Sequence, residues 1–152
     1  MNMRPFLLAA LVLLTGSLAT VQAEEIQRRF GQPITVYKSP TCGCCAGWAD
    51  YLKDNGFRVT VVEQYDLTEL KSEYGIKPQL QSCHTAVVED YAIEGHVPAD
   101  DIWRLLAERP AVQGLSAPGM PQLSPGMNSI EPRDYDVLSF DDNGNIDLYS
   151  RY

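Results

Sequence analysis

The sequence carries no excess of positive charge and, beyond its first residues, no long hydrophobic run. Its 12 Lys and Arg stand against 20 Asp and Glu, a formal charge of -8. A field of that sign repels phosphate backbones and anionic headgroups, which excludes nucleic acid and anionic membrane surfaces as partners. After Leu14 no apolar stretch reaches the roughly 20 residues that a membrane-spanning helix needs. Internal repeats and low-complexity tracts are absent as well. With 45% hydrophobic and 21% charged residues the composition is that of an ordinary folded protein, so wholesale disorder is excluded. The 152 residues suffice for one globular domain and are too few for two comfortable ones. Histidine is scarce, with two, and Cys and Met number four each. Whether these side chains are scattered or gathered decides what the chain can do.

The first 23 residues read as an export signal. Arg4 supplies a positive start, Phe6 to Leu14 an apolar run too short to span a bilayer, and Val21-Gln22-Ala23 a small-x-small cleavage site. Cleavage there leaves residues 24–152 as a single mature domain, with 11 basic and 20 acidic side chains and a formal charge of -9. Met1 and Met3 leave with the signal, and all four Cys remain. The expected compartment is a bacterial periplasm, where an even cysteine count ordinarily means structural disulfides.

Ile34–Tyr37 reads as a strand, followed by a turn from Ser39 to Cys45 and a helix from Ala46 to Asn55, stopped by Gly56. Phe57–Val62 suits a buried strand. A second helix is expected from Leu67 to Tyr74, with Asp66 and Glu69 as a capping box. Thr85–Val88 and Tyr91–Glu94 form a hairpin about Glu89-Asp90. Pro98 opens a third helix that turns Ile102, Leu105 and Leu106 inward, and Pro110 ends it. Residues 110–132 hold five of the ten prolines and read as one long irregular loop. Val137–Phe140 and Ile146–Tyr149, flanking Asp142-Asn-Gly-Asn145, predict a closing hairpin. Strand, helix, strand, helix, hairpin, helix is the order of an α/β sandwich of thioredoxin type.

Cys42-Gly43-Cys44-Cys45 puts three thiols within four residues at a helix start. Free backbone N–H groups and the helix dipole there favour thiolate, the nucleophilic and metal-ligating form. Cys83-His84 lies at the mouth of the predicted hairpin. Pairing about its turn sets His84 across from His96 and Cys83 near Val97. That end of a thioredoxin-like sheet also carries the Cys-rich turn, so four Cys and both His are expected at one edge. Met120 and Met127 sit in two near-duplicate Pro-Gly-Met triplets, as ligands, as caps of a site, or as gap-filling side chains.

Three readings follow. Thiolate, thioether and imidazole together select Cu(I), with zinc as second choice, and close thiolates can bridge more than one ion. A thiol–disulfide oxidoreductase would use Cys42 and Cys45, whose C-x-x-C spacing suits it. It has no use for Cys44, Cys83 or the histidines, and no proline stands at Cys83-His84, where thioredoxins place a cis-proline. Two structural disulfides are the third reading.

Ser39-Pro-Thr-Cys-Gly-Cys-Cys45 with Trp48, Ser82-Cys-His-Thr-Ala86, Glu94-Gly-His-Val-Pro-Ala99, Pro118-Gly-Met-Pro121 and Ser124-Pro-Gly-Met127 together resemble the CopG-type periplasmic copper-resistance proteins. The likeness runs from about Ile34 to about Tyr135. It implies a thioredoxin-like metal-binding protein acting in copper resistance, with a role in interconverting Cu(I) and Cu(II). It also implies Cys42, Cys44, Cys45 and Cys83 as core copper ligands, with His84 and His96 as further ligands. The implied partners are copper ions and a periplasmic copper-handling or redox protein. No stable membrane insertion is expected after cleavage.

Overall fold

A computed structural model describes residues 31–129 and 131–152. The expected export signal over residues 1–23 lies outside the described residues. Alternation of buried and exposed positions forms β1 (Gln32–Lys38), which turns Ile34 and Val36 into the core. Helix α1 (Gly43–Asp54) buries Cys45, Trp48, Ala49 and Leu52, an i, i+3, i+4, i+7 stripe. It begins three residues earlier than expected, with Cys42 as its N-cap. No cap side chain bonds to its first turn, so the usual Ser/Thr/Asp signal for a helix start is missing. The three clustered thiols are therefore the N-cap and first turn of the helix, not a loop before it.

Strand β2 (Phe57–Glu63) forms where expected but is mostly exposed, since only Phe57 is buried and Val59 and Val62 are half-buried. It is the edge of the sheet, with one flank unpaired among the described residues. Helix α2 is shorter than expected, Thr68–Glu73, and Asp66 Oδ1 accepts from the Thr68 N–H at 2.9 Å with no reciprocal bond from Glu69. A 3-10 turn at Pro78–Leu80 leads to β3 (His84–Val88) and β4 (Tyr91–Gly95). Helix α3 (Ala99–Glu108) buries Ile102 and Leu105, with Leu106 half-buried.

The loop expected over 110–132 contains a strand. Residues Gly114–Ala117, β5, lie fully buried and parallel to β4, so that β4, α3 and β5 make a crossover unit. Four residues without a β-branched side chain carry little strand signal. Gly114 is needed there, because a Cβ would lie 1.9 Å from the Ala92 carbonyl oxygen. The closing hairpin, β6 (Asp136–Phe140) and β7 (Ile146–Arg151), forms as the Asp-Asn-Gly-Asn turn predicts, with Gly144 at φ +87°.

Among the described residues the seven strands form one mixed sheet in the order β2-β1-β3-β4-β5-β6-β7. The first four, with α1 linking β1 to β2, are the thioredoxin-like arrangement, and β5 to β7 extend it. Trp48, Leu52, Ile102 and Leu105 pack with Ile34, Val36, Ala86, Val88 and Ile93 in the main core. Ala92, on the other face of β4, joins Ile76, Leu80 and Phe140 in a smaller cluster.

The β3–β4 register corrects one expectation. Glu89, at φ +50°, closes a two-residue turn between Val88 and Tyr91, and Thr85 pairs with Glu94. Continued by one step, the ladder sets His84 against Gly95 and Cys83 against His96. The expected pairing was one residue off, and the shift brings Cys83, rather than His84, across from His96.

Candidate metal centre

Cys45 belongs to the buried stripe of α1, so core packing fixes its sulfur at the bottom of the helix tip. Cys42 lies one turn away on the same side and forms a disulfide with Cys45, Cα to Cα 5.4 Å. Cys44 Sγ is 3.5 Å from Cys42 Sγ. From the residue just before β3, Cys83 brings its sulfur to 3.4 Å from Cys45 Sγ. The four sulfurs all lie within 4.8 Å of one another, as do the donor atoms of Cys83, His84 and His96. Cys83 belongs to both groups, 3.4 Å from His84 Nδ1 and 3.5 Å from His96 Nε2.

Both imidazoles are buried. Burial pushes His84 well below the ordinary histidine range, helped by the nearby His96 and Lys71. Burial also lowers His96, against the Pro125 carbonyl that accepts from it. Neutral rings keep a lone pair, which is what ligation requires. The His96 Nδ1–Pro125 O distance is 2.7 Å; a carbonyl only accepts, so Nδ1 carries the hydrogen and Nε2 presents its lone pair to Cys83. The His84 ring packs on Trp48 at 4.5 Å between centroids, and Trp48 Nε1 donates to Val97 O. His84 Nε2 has no hydrogen-bond partner among the described residues. A histidine serving only the core would satisfy both nitrogens. Burial pushes the Cys83 thiol up to about 11, with a hydrogen bond from Ser82 acting the other way. Anionic sulfur here therefore calls for a cation, and thiols and neutral imidazoles are a soft donor set that fits copper.

The Pro/Gly-rich loop closes over this end of the sheet. Gly119 bridges to Ser82, next to Cys83, which leaves the adjoining Met120 exposed at the rim. Met127 is half-buried along the Gly47, Asp50 and Tyr51 side of α1. Gly126, at φ +83°, is pressed against α1 so closely that a Cβ would lie 2.5 Å from the Trp48 nitrogen. Gly126→Ala is expected to lose about 2 kcal/mol of stability through the strained backbone and the displaced loop. A urea-melt midpoint equal to that of the parent would refute this account of the loop.

The structure thus gathers Cys42, Cys44, Cys45, Cys83, His84 and His96, while Met120 stays exposed on the loop and Met127 lies half-buried along α1. Three partners have no role in the sequence reading, although they stand in or beside the motifs that carry the resemblance. Trp48 reads as an apolar helix residue in one of them, and Pro125 acts through its carbonyl, which no side-chain pattern reveals. The third is a buried pair behind Cys83: Lys71 Nζ bonds to Glu94 and, at 3.3 Å, to Ser82 O, while Glu94 Oε1 accepts from Ser82 N at 2.5 Å. Its one signal is a carboxylate closing the apolar run Tyr91-Ala-Ile.

Comparison with known proteins places this arrangement. A family described as "Protein of unknown function, DUF411" matches residues 80–127, from the approach to Cys83 through Met127. No curated protein matches the sequence. Two solved structures, copper resistance protein CopG in form 1 and in form 2, superpose with a TM-score of 0.74. Each is 38% identical to this chain, and the match covers 80% of this chain and 98% of theirs. On that identity and coverage, the chain belongs to the CopG family of copper-resistance proteins.

Proposed function

We propose that the chain is an exported copper-binding protein of the periplasm, acting in copper resistance, with residues 1–23 as its signal and 24–152 as its mature domain. The observation that carries this reading is the position of Cys83, whose sulfur joins the three thiols of the α1 tip to two neutral imidazoles. Cys42, Cys44, Cys45 and Cys83 would hold Cu(I) through sulfur, and His84 and His96 would extend the donor set with nitrogen. When bound, copper supplies one-electron redox chemistry, since thiolate stabilises Cu(I) and imidazole makes Cu(II) accessible. The chain's own part is to fix these donors. Core packing holds Cys45, the Pro125 carbonyl sets the tautomer of His96, and Trp48 holds the His84 ring. The loop bearing Met120 and Met127 limits water at the rim.

The Cys42–Cys45 disulfide favours a second reading, a thiol–disulfide oxidoreductase. It is equally the expected oxidised form of a metal-free site in an oxidising compartment, to be reduced before metal binds. Anaerobic Cu(I) titration of the reduced protein against a chromogenic chelator separates the two. Tight binding is expected, and it should collapse in a Cys42→Ser/Cys44→Ser/Cys45→Ser variant. Unchanged binding in that variant would sink the copper reading, and insulin reduction surviving Cys44→Ala and Cys83→Ala would favour the oxidoreductase. Export is checked by N-terminal sequencing of the periplasmic protein, which should begin at Glu24.

A further inference from the structure

We propose that Cys83 is the nucleophile of an internal thiol–disulfide exchange that moves the disulfide of the metal-free protein from Cys42–Cys45 to Cys45–Cys83. Cys83 Sγ lies 3.4 Å from Cys45 Sγ, which is already bonded to Cys42. The two free thiols address opposite ends of that bond, because Cys44 faces Cys42 at 3.5 Å. Their situations differ. Cys44 and Cys42 stand two residues apart in one short stretch of chain, so a bond between them would close a tight ring. Cys83 comes from a separate segment, the residue before β3, and is free of that constraint.

The Cys83 thiol is half-exposed, so water reaches it. The step balances with water as the proton acceptor. Water takes the Cys83 proton, and the sulfur electron pair forms the bond to Cys45 Sγ. The Cys42–Cys45 bond breaks with its pair going to Cys42. Cys42 leaves as a thiolate at the N-cap of α1, a 12-residue helix whose free N–H groups favour that charge. One disulfide replaces another, so no external oxidant or reductant takes part.

The exchange gives the oxidised protein a free pair, Cys42 and Cys44, at the helix tip, while the buried Cys45 and the half-exposed Cys83 carry the bond. A C-x-x-C enzyme keeps its second cysteine as the resolving thiol; here Cys45 is the shared sulfur and the resolving thiol comes from the residue before β3. This inference stands on the metal-free, oxidised chain and does not rest on the copper reading, whose titration starts from the reduced chain.

The test uses full-length protein carrying one disulfide, with metal removed by a chelator. Thiols are trapped with iodoacetamide at intervals, and non-reduced tryptic peptides are weighed. Trypsin places Cys42, Cys44 and Cys45 in Ser39–Lys53 and Cys83 in Ser72–Arg104. Exchange therefore appears as a cross-linked pair of peptides with Cys42 and Cys44 alkylated. Cys42→Ser, a small change at a half-exposed position, should give the Cys45–Cys83 link as its main disulfide. Peptides that stay separate at every interval, with Cys83 always alkylated, would overturn the proposal. So would a Cys42–Cys44 bond in the parent, or a Cys44–Cys45 bond in Cys42→Ser.

Discussion

Replacing Glu94 by Ala is expected to lower the unfolding free energy of the reduced, metal-free protein by about 3–5 kcal/mol, a large part of the ~5–15 kcal/mol typical of a domain. Glu94 is fully buried on β4 and accepts from Lys71, from Thr85 Oγ1 at 2.6 Å and from the Ser82 N–H at 2.5 Å. Burial pushes its carboxyl above the usual carboxylate range, and Lys71, Thr85 and Ser82 pull the other way. Desolvation therefore outweighs the attraction at the carboxyl, so the intact pair adds little net stability. Removing one member leaves the Lys71 ammonium buried without its counter-charge, and that orphan carries the loss. Removing both should restore most of it, so Lys71→Met/Glu94→Leu is expected to lie within about 1–2 kcal/mol of the parent. Urea midpoints of the parent, the single and the double variant measure both. A loss below about 1 kcal/mol in Glu94→Ala would show that the pair is not desolvated as described. The pair also grips both backbone polar groups of Ser82, the residue before Cys83. Glu94→Ala should therefore loosen the approach to the sulfur cluster as well as the fold.

The parts of this molecule legible from its sequence are those governed by short-range pattern. Alternation marks β1, the 3.6-residue stripe marks α1 and α3, and Asn143-Gly144 marks the closing turn. Four thiols and two imidazoles converge as expected because the thioredoxin-like order brings a helix tip and a hairpin mouth to the same end of the sheet. What escaped depends on contacts between distant segments. β5 is a strand because Gly114 can approach the Ala92 carbonyl, a constraint that local propensity does not encode. β2 is exposed because of its place at the sheet edge, and its apolar residues say nothing of that place. A hairpin centred on Asp90 differs by one residue from the observed register, because the turn is shared by Glu89 and Asp90. Period-2 geometry turns a slip of one into a change of partner, so Cys83 and His84 exchanged roles opposite His96. Lys71 belongs to a short, mostly exposed helix, and only the fold reveals that its ammonium reaches inward.

Cys83→Ser is expected to lower Cu(I) affinity more than about 100-fold, beyond the 10–100-fold typical of losing a group that only supports a ligand. The reason is topological. The thiols of the α1 tip and the two imidazoles are separate groups of donors, and Cys83 alone belongs to both. Serine keeps nearly the same volume and removes the soft donor, so the core formed by Trp48, Leu52 and Ile93 should be undisturbed. Near-ultraviolet circular dichroism of the metal-free variant should match the parent and checks that point. His96→Gln removes one nitrogen at the edge of the set and should cost less, about 10–100-fold. Met120→Leu keeps the size and apolar character of an exposed loop residue and should cost less than about 10-fold. Competition with a Cu(I) chelator ranks the three variants on one scale. A Cys83→Ser protein that binds within about threefold of the parent would break the link between the two groups and confine the site to the helix tip. A Met120→Leu loss equal to that of Cys83→Ser would move the centre of binding out to the loop. The expected order, with Cys83 first, His96 second and Met120 last, follows from where the fold puts each donor.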